Sequence, residues 1–347
     1  MVDFKISTIT PVHIGTGDVY MSSEYFMNTI DIKNKKYSTF NRIDLTKYYS
    51  SLNQSERDKF SKDLLNSKYI LPKLSDDFTR YYAFNMCKTR PNPGNEIHEN
   101  IKIMDKPYIP GSSIKGAIEN ALIYNSLTFN DIESMFNRGR INENVIRKFF
   151  SPTGNPQDSI MRFLQVSDST AAVRPYIYDI QTLKVDRRGT FKNQMRLFFE
   201  TIVSKRLSAS ITSNYDSNIY KKLKLDDKKY LLELDYIKES LFNFANDFID
   251  FEIEFSEKYN IHKSENFYKA LKKKNSLDSP LIRLGSTTGL LSSGVIFRVK
   301  LHDSIDYFND IKNKIRGKKA RFDYPITRRV ITKTQYPTGW VQLSFGE

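Results

Sequence analysis

The sequence has little of the chemistry that builds disulfide frameworks or metal centres. Cys87 is the single cysteine among 347 residues, which excludes an internal disulfide framework and fits a reducing compartment such as the cytoplasm. The four histidines, at positions 13, 98, 262 and 302, show no H-x-x-x-H spacing and have no cysteine partner. A zinc site is therefore not indicated, and we expect no metal and no cofactor.

Long apolar runs are also missing. No run approaches the roughly 18 residues that a membrane-spanning helix needs. The first residues, from Met1 to Thr8, lack the charged and then apolar layout of a secretory signal peptide. The motif G-x-S-x-G of serine hydrolases does not occur. The sequence thus predicts a cytoplasmic protein with no membrane partner.

Positive charge is what the chain has in excess. Lysine and arginine number 54 against 40 aspartates and glutamates, which gives a net charge of +14 and a pI near 9.4. Such a balance indicates a polyanionic partner, nucleic acid before an anionic membrane surface. Aromatic residues make up 13% of the chain, and many tyrosines beside many lysines fit base stacking. An AT-rich genome gives the same bias in composition.

The stretch from Tyr108 to Leu122 carries the most information. One apolar stripe of a helix is formed by Ile114, Ala117, Ile118, Ala121 and Leu122. Pro110 and Gly111 break the chain just before it, and we expect Ser112 or Ser113 to cap the helix.

The first turn of this helix has the composition of a phosphate site. Gly116 costs about 1 kcal/mol there relative to alanine, which indicates that something approaches the backbone closely. Free N–H groups, the helix dipole, two hydroxyls and Lys115 then converge on one point. The string is not a Walker A loop, because Lys115 precedes its glycine. The same residues also fit an ordinary capped helix with a surface lysine.

Two further loops combine glycine with the end of a predicted element. The strand at 2–8 runs into His13-Ile-Gly-Thr-Gly17, where Gly15 and Gly17 permit positive φ and close backbone approach. The loop from Arg283 to Gly294 offers several backbone N–H groups to an anion, and we expect an alternating strand at 295–301 after it. Each loop alone also fits a simple turn.

Basic residues on other loops are further candidates for phosphate contact. Lys88 and Arg90 lie in a proline-rich loop, and Arg187 and Arg188 lie at the turn of a hairpin predicted over 173–190. Solvated loops explain the same residues.

The remaining order of elements predicts an α+β fold. Without its insertions, the chain reads strand, helix, strand, strand, helix, strand, near 2–8, 112–124, 160–166, 197–203, 230–255 and 295–301. This β-α-β-β-α-β order is ferredoxin-like and is also used by RRM-type RNA-recognition folds. We expect one elaborated domain over 1–347, with insertions at 20–107 and 173–190 and a C-terminal strand extension at 302–347.

Taken together, the motifs resemble the RAMP superfamily of CRISPR effector proteins, and within it the subunits that cap the CRISPR RNA (crRNA) in type III-A Csm complexes. The resemblance is carried, in order, by His13-Ile-Gly-Thr-Gly17, Thr89-Arg-Pro-x-Pro, Ile109-Pro-Gly-Ser-Ser-Ile-Lys-Gly116, Val166-Ser-Asp-Ser169, Leu284-Gly-x-x-Thr-Gly-x-x-Ser and Gly339-Trp340-Val341. One departure is Thr287, which stands where related subunits usually carry a second glycine.

The resemblance implies a non-catalytic RNA-binding subunit that caps the 3′ end of the crRNA and serves crRNA maturation and antiviral defence. Its implied partners are crRNA, target RNA, the repeated backbone subunit, the small helical subunit and host nucleases that trim the guide. The hairpin at 173–190 would be the thumb that wedges into the guide–target duplex. The residues that we predict to contact RNA are His13, Gly15, Gly17, Lys88, Arg90, Gly111, Ser112, Ser113, Lys115, Arg187, Arg188, Arg283, Gly285, Ser286 and Gly289.

Two alternatives stay open from the sequence. Some RAMP proteins cut precursor RNA without metal, in which case His13 would take a proton from a 2′-OH and Lys115 would stabilise the phosphorane. The second alternative is a protein scaffold whose basic faces bind acidic proteins, without direct RNA contact.

Overall fold

The computed structural model describes residues 1–65, 76–89, 91, 95–135, 143–185, 191–214, 217–301 and 325–346. The strands are β1 (Val2–Thr8), β2 (Gly15–Tyr20), β3 (Tyr25–Ile32), β4 (Lys35–Ile43), β5 (Thr79–Asn85), β6 (Ile97–Asn100), β7 (Lys102–Ile103), β8 (Lys106–Pro107), β9 (Leu164–Val166), β10 (Tyr176–Val185), β11 (Phe191–Thr201), β12 (Leu207–Ser213), β13 (Leu281–Arg283), β14 (Thr327–Ile331) and β15 (Trp340–Phe345). The helices are α1 (Leu45–Ser51), α2 (Gln54–Leu65), α3 (Gly111–Ser126), α4 (Phe129–Met135), α5 (Glu143–Phe150), α6 (Ser217–Leu223), α7 (Leu234–Lys258), α8 (His262–Lys272) and α9 (Gly294–Leu301).

The first sheet has the order β13-β15-β1-β12-β9, and each neighbouring pair is antiparallel. Alternation along β1 buries Phe4 and Ile6 while Asp3 and Lys5 stay exposed. These two side chains share one hydrophobic core with residues of α3 and α7, such as Ile118. The apolar stripes of both helices therefore cover this sheet, as their periodicity predicts.

The second sheet has the order β2-β6-β11-β10-β5-β4-β3, with β14 pairing with β10 as well. The hairpin of β10 and β11 lies in its middle. Short parallel pairings join this hairpin to β5 and β6, which belong to the region predicted as the 20–107 insertion. The two predicted insertions thus meet in a single sheet, and the chain has a mixed α/β structure.

Several sequence predictions agree with the observed elements. The strand predicted at 2–8 is β1, the helix predicted at 112–124 is α3, and the helix predicted at 230–255 is α7. The division into one domain over 1–347 stays a prediction.

The strand predicted at 295–301 is wrong, because these residues form helix α9. Val295, Phe297 and Val299 alternate in sequence and are buried. Phe297 packs against Tyr124 of α3, with ring centroids 5.6 Å apart, and against Phe248 of α7 at 5.2 Å. A short apolar run takes the structure that its packing partners impose, so alternation over seven residues did not decide between strand and helix.

Two other core strands were placed wrongly. Residues 197–201 are the end of β11 in the second sheet, whereas the strand beside β1 is β12. The run predicted as a strand at 160–166 begins as a 3-10 turn over Ile160–Phe163 and is a strand only in β9. Both errors arise because apolar content does not reveal which sheet a strand joins.

The region predicted as a C-terminal extension contributes a central strand. β15 lies between β1 and β13 in the first sheet, and its Trp340, Val341 and Leu343 are buried. The sheet is therefore completed by the end of the described chain, not by residues 295–301.

Candidate nucleic-acid interface

The first glycine loop and the last one are in direct contact. The backbone N–H of Ser286 donates a 3.0 Å hydrogen bond to the carbonyl oxygen of His13. Gly285 has a φ of +98°, and a Cβ on it would lie 2.3 Å from that same carbonyl oxygen. Only glycine fits such a site, so the contact between the two loops requires Gly285. We call residues 13–17 and 285–289 together the glycine cradle.

Gly339, just before β15, holds the cradle in place. Its N–H donates to the carbonyl of Pro11 at 2.9 Å, and its carbonyl accepts from the N–H of Leu284 at 2.8 Å. A Cβ on Gly339 would lie 2.4 Å from the carbonyl oxygen of Leu284. Gly339 thus holds the residues that precede both loops, Pro11 and Leu284, beside the start of β15. Such support is what a rigid binding site requires.

Several glycines of the cradle have an exposed backbone. Gly15, Gly17 and Gly289 are exposed. Gly17 and Gly289 have φ values of +101° and +88°, and a Cβ on either would meet no described atom within 4 Å. Their backbones are open to an outside partner.

His13 itself points inward. Its side chain is 3% exposed, and its Nδ1 donates to the carbonyl oxygen of Glu200 at 2.7 Å, which leaves Nε2 as the unprotonated nitrogen. Burial lowers the pKa of His13 to about 4. The ring is therefore neutral near pH 7, and it contributes structure rather than positive charge to the cradle.

The start of α3 is capped differently from the prediction. The N-cap residue is Pro110, with no side-chain cap from Ser112 or Ser113. Instead Asp168 accepts a hydrogen bond from the N–H of Gly111 at 2.8 Å. A Cβ on Gly111 would lie 2.1 Å from the carbonyl oxygen of Val166, so Gly111 is needed for this close approach. The prediction of a serine cap is wrong, since a distant aspartate takes that role.

Other predicted residues of the first turn lie at the surface. Ser112 is exposed, and Ser113, Lys115 and Gly116 are half-buried. A Cβ on Gly116 would meet no described atom within 4 Å. The close approach that we expected at this glycine does not come from the described part of the chain.

Asn120 connects the helix to the last glycine loop. Its Oδ1 accepts from the N–H of Gly294 at 3.0 Å, and its Nδ2 donates to the carbonyl of Gly116 at 3.0 Å. A Cβ on Gly294 would lie 1.9 Å from the carbonyl oxygen of Asn120. The loop therefore reaches α3 in its middle, about 7 Å along the axis from Lys115. Sequence reasoning missed Asn120, a polar residue beside an apolar stripe.

Arg283, predicted to contact RNA, is half-buried. Its guanidinium lies over the rings of Phe248, at 5.3 Å, and Trp340, at 5.6 Å. Its Nε donates to the carbonyl of Thr338 at 3.2 Å. These contacts hold the Arg283 side chain between β13, α7 and β15.

Arg329, on β14, was missed as a site residue. It is exposed, and its Nη1 donates to the carbonyl of Ser286 at 2.9 Å. Arg328 is held beside it by Glu252, at 2.8 Å, and lies over the Phe255 ring at 3.7 Å. The signal in the sequence was the basic pair Arg328-Arg329.

The remaining predicted residues are not brought to the cradle by any described contact. Lys88 is exposed, and its backbone N–H donates to Asp179 at 3.1 Å. Arg90, Arg187 and Arg188 lie outside the described residues. Thr287, the departure noted above, is buried and its hydroxyl pairs with Thr338 at 2.8 Å, so its side chain does not obstruct the cradle's surface.

Over the described residues, no group of three or more His, Cys, Asp or Glu is arranged to hold a metal ion. Within the same residues, none of the helices combines the length and the apolar character needed to cross a bilayer.

A match to a family of known proteins identifies the class of protein. The model of the RAMP superfamily matches residues 5–290, so the chain belongs to the RAMP superfamily. The resemblance predicted from the motifs is confirmed.

Two proteins described as Csm5 are similar to this chain in sequence. A protein of Methanocaldococcus jannaschii described as "CRISPR system Cms protein Csm5" is 26% identical, and the match covers 100% of this chain and 89% of that protein. A Streptococcus thermophilus protein of the same description is 29% identical over 191 residues, which covers 48% of this chain and 51% of that protein.

Two solved structures share the fold. A chain from the cryo-EM structure of the Csm–crRNA–target RNA ternary complex of a type III-A CRISPR–Cas system has a TM-score of 0.66 at 18% identity, covering 99% of this chain and 100% of that one. The crystal structure of T. onnurineus Csm5 has a TM-score of 0.63 at 16% identity, covering 97% and 99%.

Proposed function

We propose that this chain is a non-catalytic RNA-binding subunit of a type III-A Csm effector complex. It holds the 3′ region of the crRNA, caps the backbone filament and serves crRNA maturation and antiviral defence. The observation that carries the proposal is the contact of Ser286 with His13, which presents exposed glycines of two loops beside the Arg329 guanidinium. The whole-length relative described as Csm5 supports the choice of complex.

The chemistry of the cradle fits a ribose–phosphate chain. Backbone N–H groups in turns with positive φ bind anions without reading sequence. Arg329 adds a positive charge at the cradle, and Lys115 lies half-buried one turn into α3. Because His13 is neutral, the positive charge tied to the cradle comes from Arg329. The net charge of +14 adds a general attraction for a polyanion. Contacts of this kind position a strand and carry little sequence information.

The architecture supports the same proposal. In the first sheet the chain order β1, α3, β9, β12, α7, β15 gives the spatial order β15-β1-β12-β9. We infer from this order a ferredoxin-like core with β15 as its last strand. The hairpin of β10 and β11 would be the thumb. Its turn, 186–190, lies outside the described residues, so its fit to a guide–target duplex stays a prediction.

The partners follow from the complex that the proposal names. They are crRNA, target RNA, the repeated backbone subunit and the small helical subunit, together with host nucleases that trim the guide. The ternary complex of the similar chain contains crRNA and target RNA.

Copurification from the native host tests the function directly. The tagged protein is isolated, its protein partners are identified by mass spectrometry, and its bound RNA is sequenced from the 3′ end. Csm subunits and guides with ragged 3′ ends are the expected result. Recovery of Csm subunits in an assembly that forms without RNA would instead favour the protein scaffold.

A further inference from the structure

A cluster of aromatic side chains lies on one face of the second sheet. Phe84 of β5 contacts Tyr37 of β4, Tyr82 of its own strand and Tyr176 of β10, with ring centroids 5.5, 5.9 and 5.6 Å apart. The Arg174 guanidinium lies over the Tyr82 ring at 4.5 Å and over the Phe84 ring at 5.2 Å. We call these five residues the aromatic face.

The aromatic face is partly accessible, although Phe199 and Ile180 on the same side of the sheet are buried. Tyr37 is 40% exposed, and the other four members are half-buried. Ala83 and Ile177, which alternate with them on the same strands, are buried in the core on the other side. Aromatic rings that stay accessible on a sheet while their neighbours fill a core form a surface suited to a flat ligand.

The aromatic face and the glycine cradle share that side of the sheet. The His13 ring packs on Phe199 of β11, with centroids 4.9 Å apart. Phe199 lies opposite Tyr178 on β10, and Tyr176, two residues before Tyr178, lies opposite Phe84. Two strand spacings and two residues of rise separate Phe199 from Phe84, which is about 12 Å. Three or four stacked nucleotides rise by about that length.

We propose that the aromatic face is a stacking site for unpaired bases of the RNA strand that leaves the glycine cradle. The inference rests on the proposed function and extends it from phosphates to bases. Tyrosine and phenylalanine rings and an arginine guanidinium plane all stack on nucleobases, and they tolerate any sequence because every base has a π face. This suits a ragged 3′ end, whose terminal base varies.

Charge favours RNA over a protein as the occupant. Lys35 lies on the same strand and the same side as Tyr37, two residues before it, and is exposed. Arg174 adds a second cation within the face. Cations beside accessible aromatic rings match a phosphate chain with splayed bases, and the cradle would deliver such a chain to this side of the sheet.

Binding of two RNA tails tests the inference. A guide RNA with a 3′ tail of uridines is compared with the same guide carrying abasic sites in the tail, both in the reconstituted complex. Wild-type protein should bind the uridine tail at least about fivefold more tightly, because one stacked base contributes about 1 kcal/mol or more. Tyr37→Ala should reduce that preference severalfold and leave binding of the abasic tail unchanged. Arg174→Ala should reduce the preference and also weaken binding of both tails, because it removes a cation as well as a stacking plane.

Tyr49→Ala is the matched control. Tyr49 is 41% exposed on α1, where its ring contacts Phe60, and it also carries an arginine over its ring, Arg57 at 5.3 Å. Its removal should leave the preference intact. Equal binding of both tails by wild-type protein would overturn the inference, whereas failure to bind either tail would refute the proposed function. If Tyr37→Ala keeps the uridine preference but releases a neighbouring subunit, the face binds protein and the inference is wrong.

Discussion

The Arg329 guanidinium donates to the carbonyl oxygen of Ser286 at 2.9 Å, although 43 residues separate the two in the chain. Ser286 in turn donates its N–H to the carbonyl of His13. Strand β14 of the second sheet and the loop after β13 of the first sheet are thus tied at the cradle. An exposed cation stands where two glycine loops meet.

Replacing Arg329 with alanine should weaken RNA binding and reduce its salt dependence. If Arg329 neutralises one phosphate of a single strand, the log–log slope of affinity against salt should fall in magnitude by about 0.7. Titration of a 3′-tailed guide at several salt concentrations measures this slope. Arg329→Lys, which keeps the charge, should retain the wild-type slope. An unchanged slope in Arg329→Ala would remove this residue from the site.

Gly285 and Gly289 provide a test of the contact between the loops. Both have positive φ, but only a Cβ at Gly285 would meet a nearby atom, the carbonyl oxygen of His13 at 2.3 Å. Gly289→Ala should lower the free energy of unfolding by about 1–3 kcal/mol, because Gly289 has a φ of 88° and a ψ of 177°, a region that essentially only glycine adopts. Gly285→Ala should lower it by clearly more. Equal losses in urea unfolding would show that the two loops do not touch in solution.

The buried state of His13 predicts a pH dependence of stability. Its pKa falls from the usual 6.5 to about 4 on folding, so the unfolded chain binds a proton that the folded chain excludes. Stability from this residue is complete above pH 6.5 and is lost as the pH falls from 6.5 toward 4, by roughly 3 kcal/mol. His13→Gln should flatten this part of the curve in urea unfolding at a series of pH values. Parallel curves for both proteins would contradict the assignment.

Lys102 and Glu200 form a buried ion pair beneath the cradle. The Nζ of Lys102 lies 2.6 Å from one carboxylate oxygen of Glu200 and 2.9 Å from Glu99, while burial raises the pKa of Glu200 and Lys102 opposes that rise. Lys102→Met leaves a buried carboxylate without its partner and should cost about 3–5 kcal/mol of stability. The double variant Lys102→Met with Glu200→Gln should recover part of this loss. No recovery would mean that Lys102 stabilises the fold through its other contacts.

The nuclease alternative requires His13 to act as a general base near pH 7. A base whose conjugate acid has a pKa of about 4 takes a proton from a 2′-OH poorly at pH 7. Precursor RNA incubated with the purified protein in EDTA should therefore stay intact. A product with a 2′,3′-cyclic phosphate, lost in His13→Ala, would support the endoribonuclease alternative.

The sequence allowed the local elements to be predicted better than their partners. The stripe from Ile114 to Leu122 predicted α3 because helix periodicity is a local property. The serine cap was wrong because the cap comes from Asp168, far along the chain. Gly285 was predicted to contact RNA, which stays a prediction. Its contact with the His13 carbonyl could not be predicted, because it forms only in the tertiary structure. Arg329 was missed because strand β14 brings it to Ser286 only in the fold.

Crosslinking of the guide in the assembled complex tests the central claim most directly. A photoreactive nucleotide is placed near the 3′ end of the crRNA, and the crosslinked peptides are identified by mass spectrometry. The account predicts crosslinks within residues 13–17, 285–289 and at Arg329. If crosslinks form but fall only on residues outside these segments, the account is contradicted.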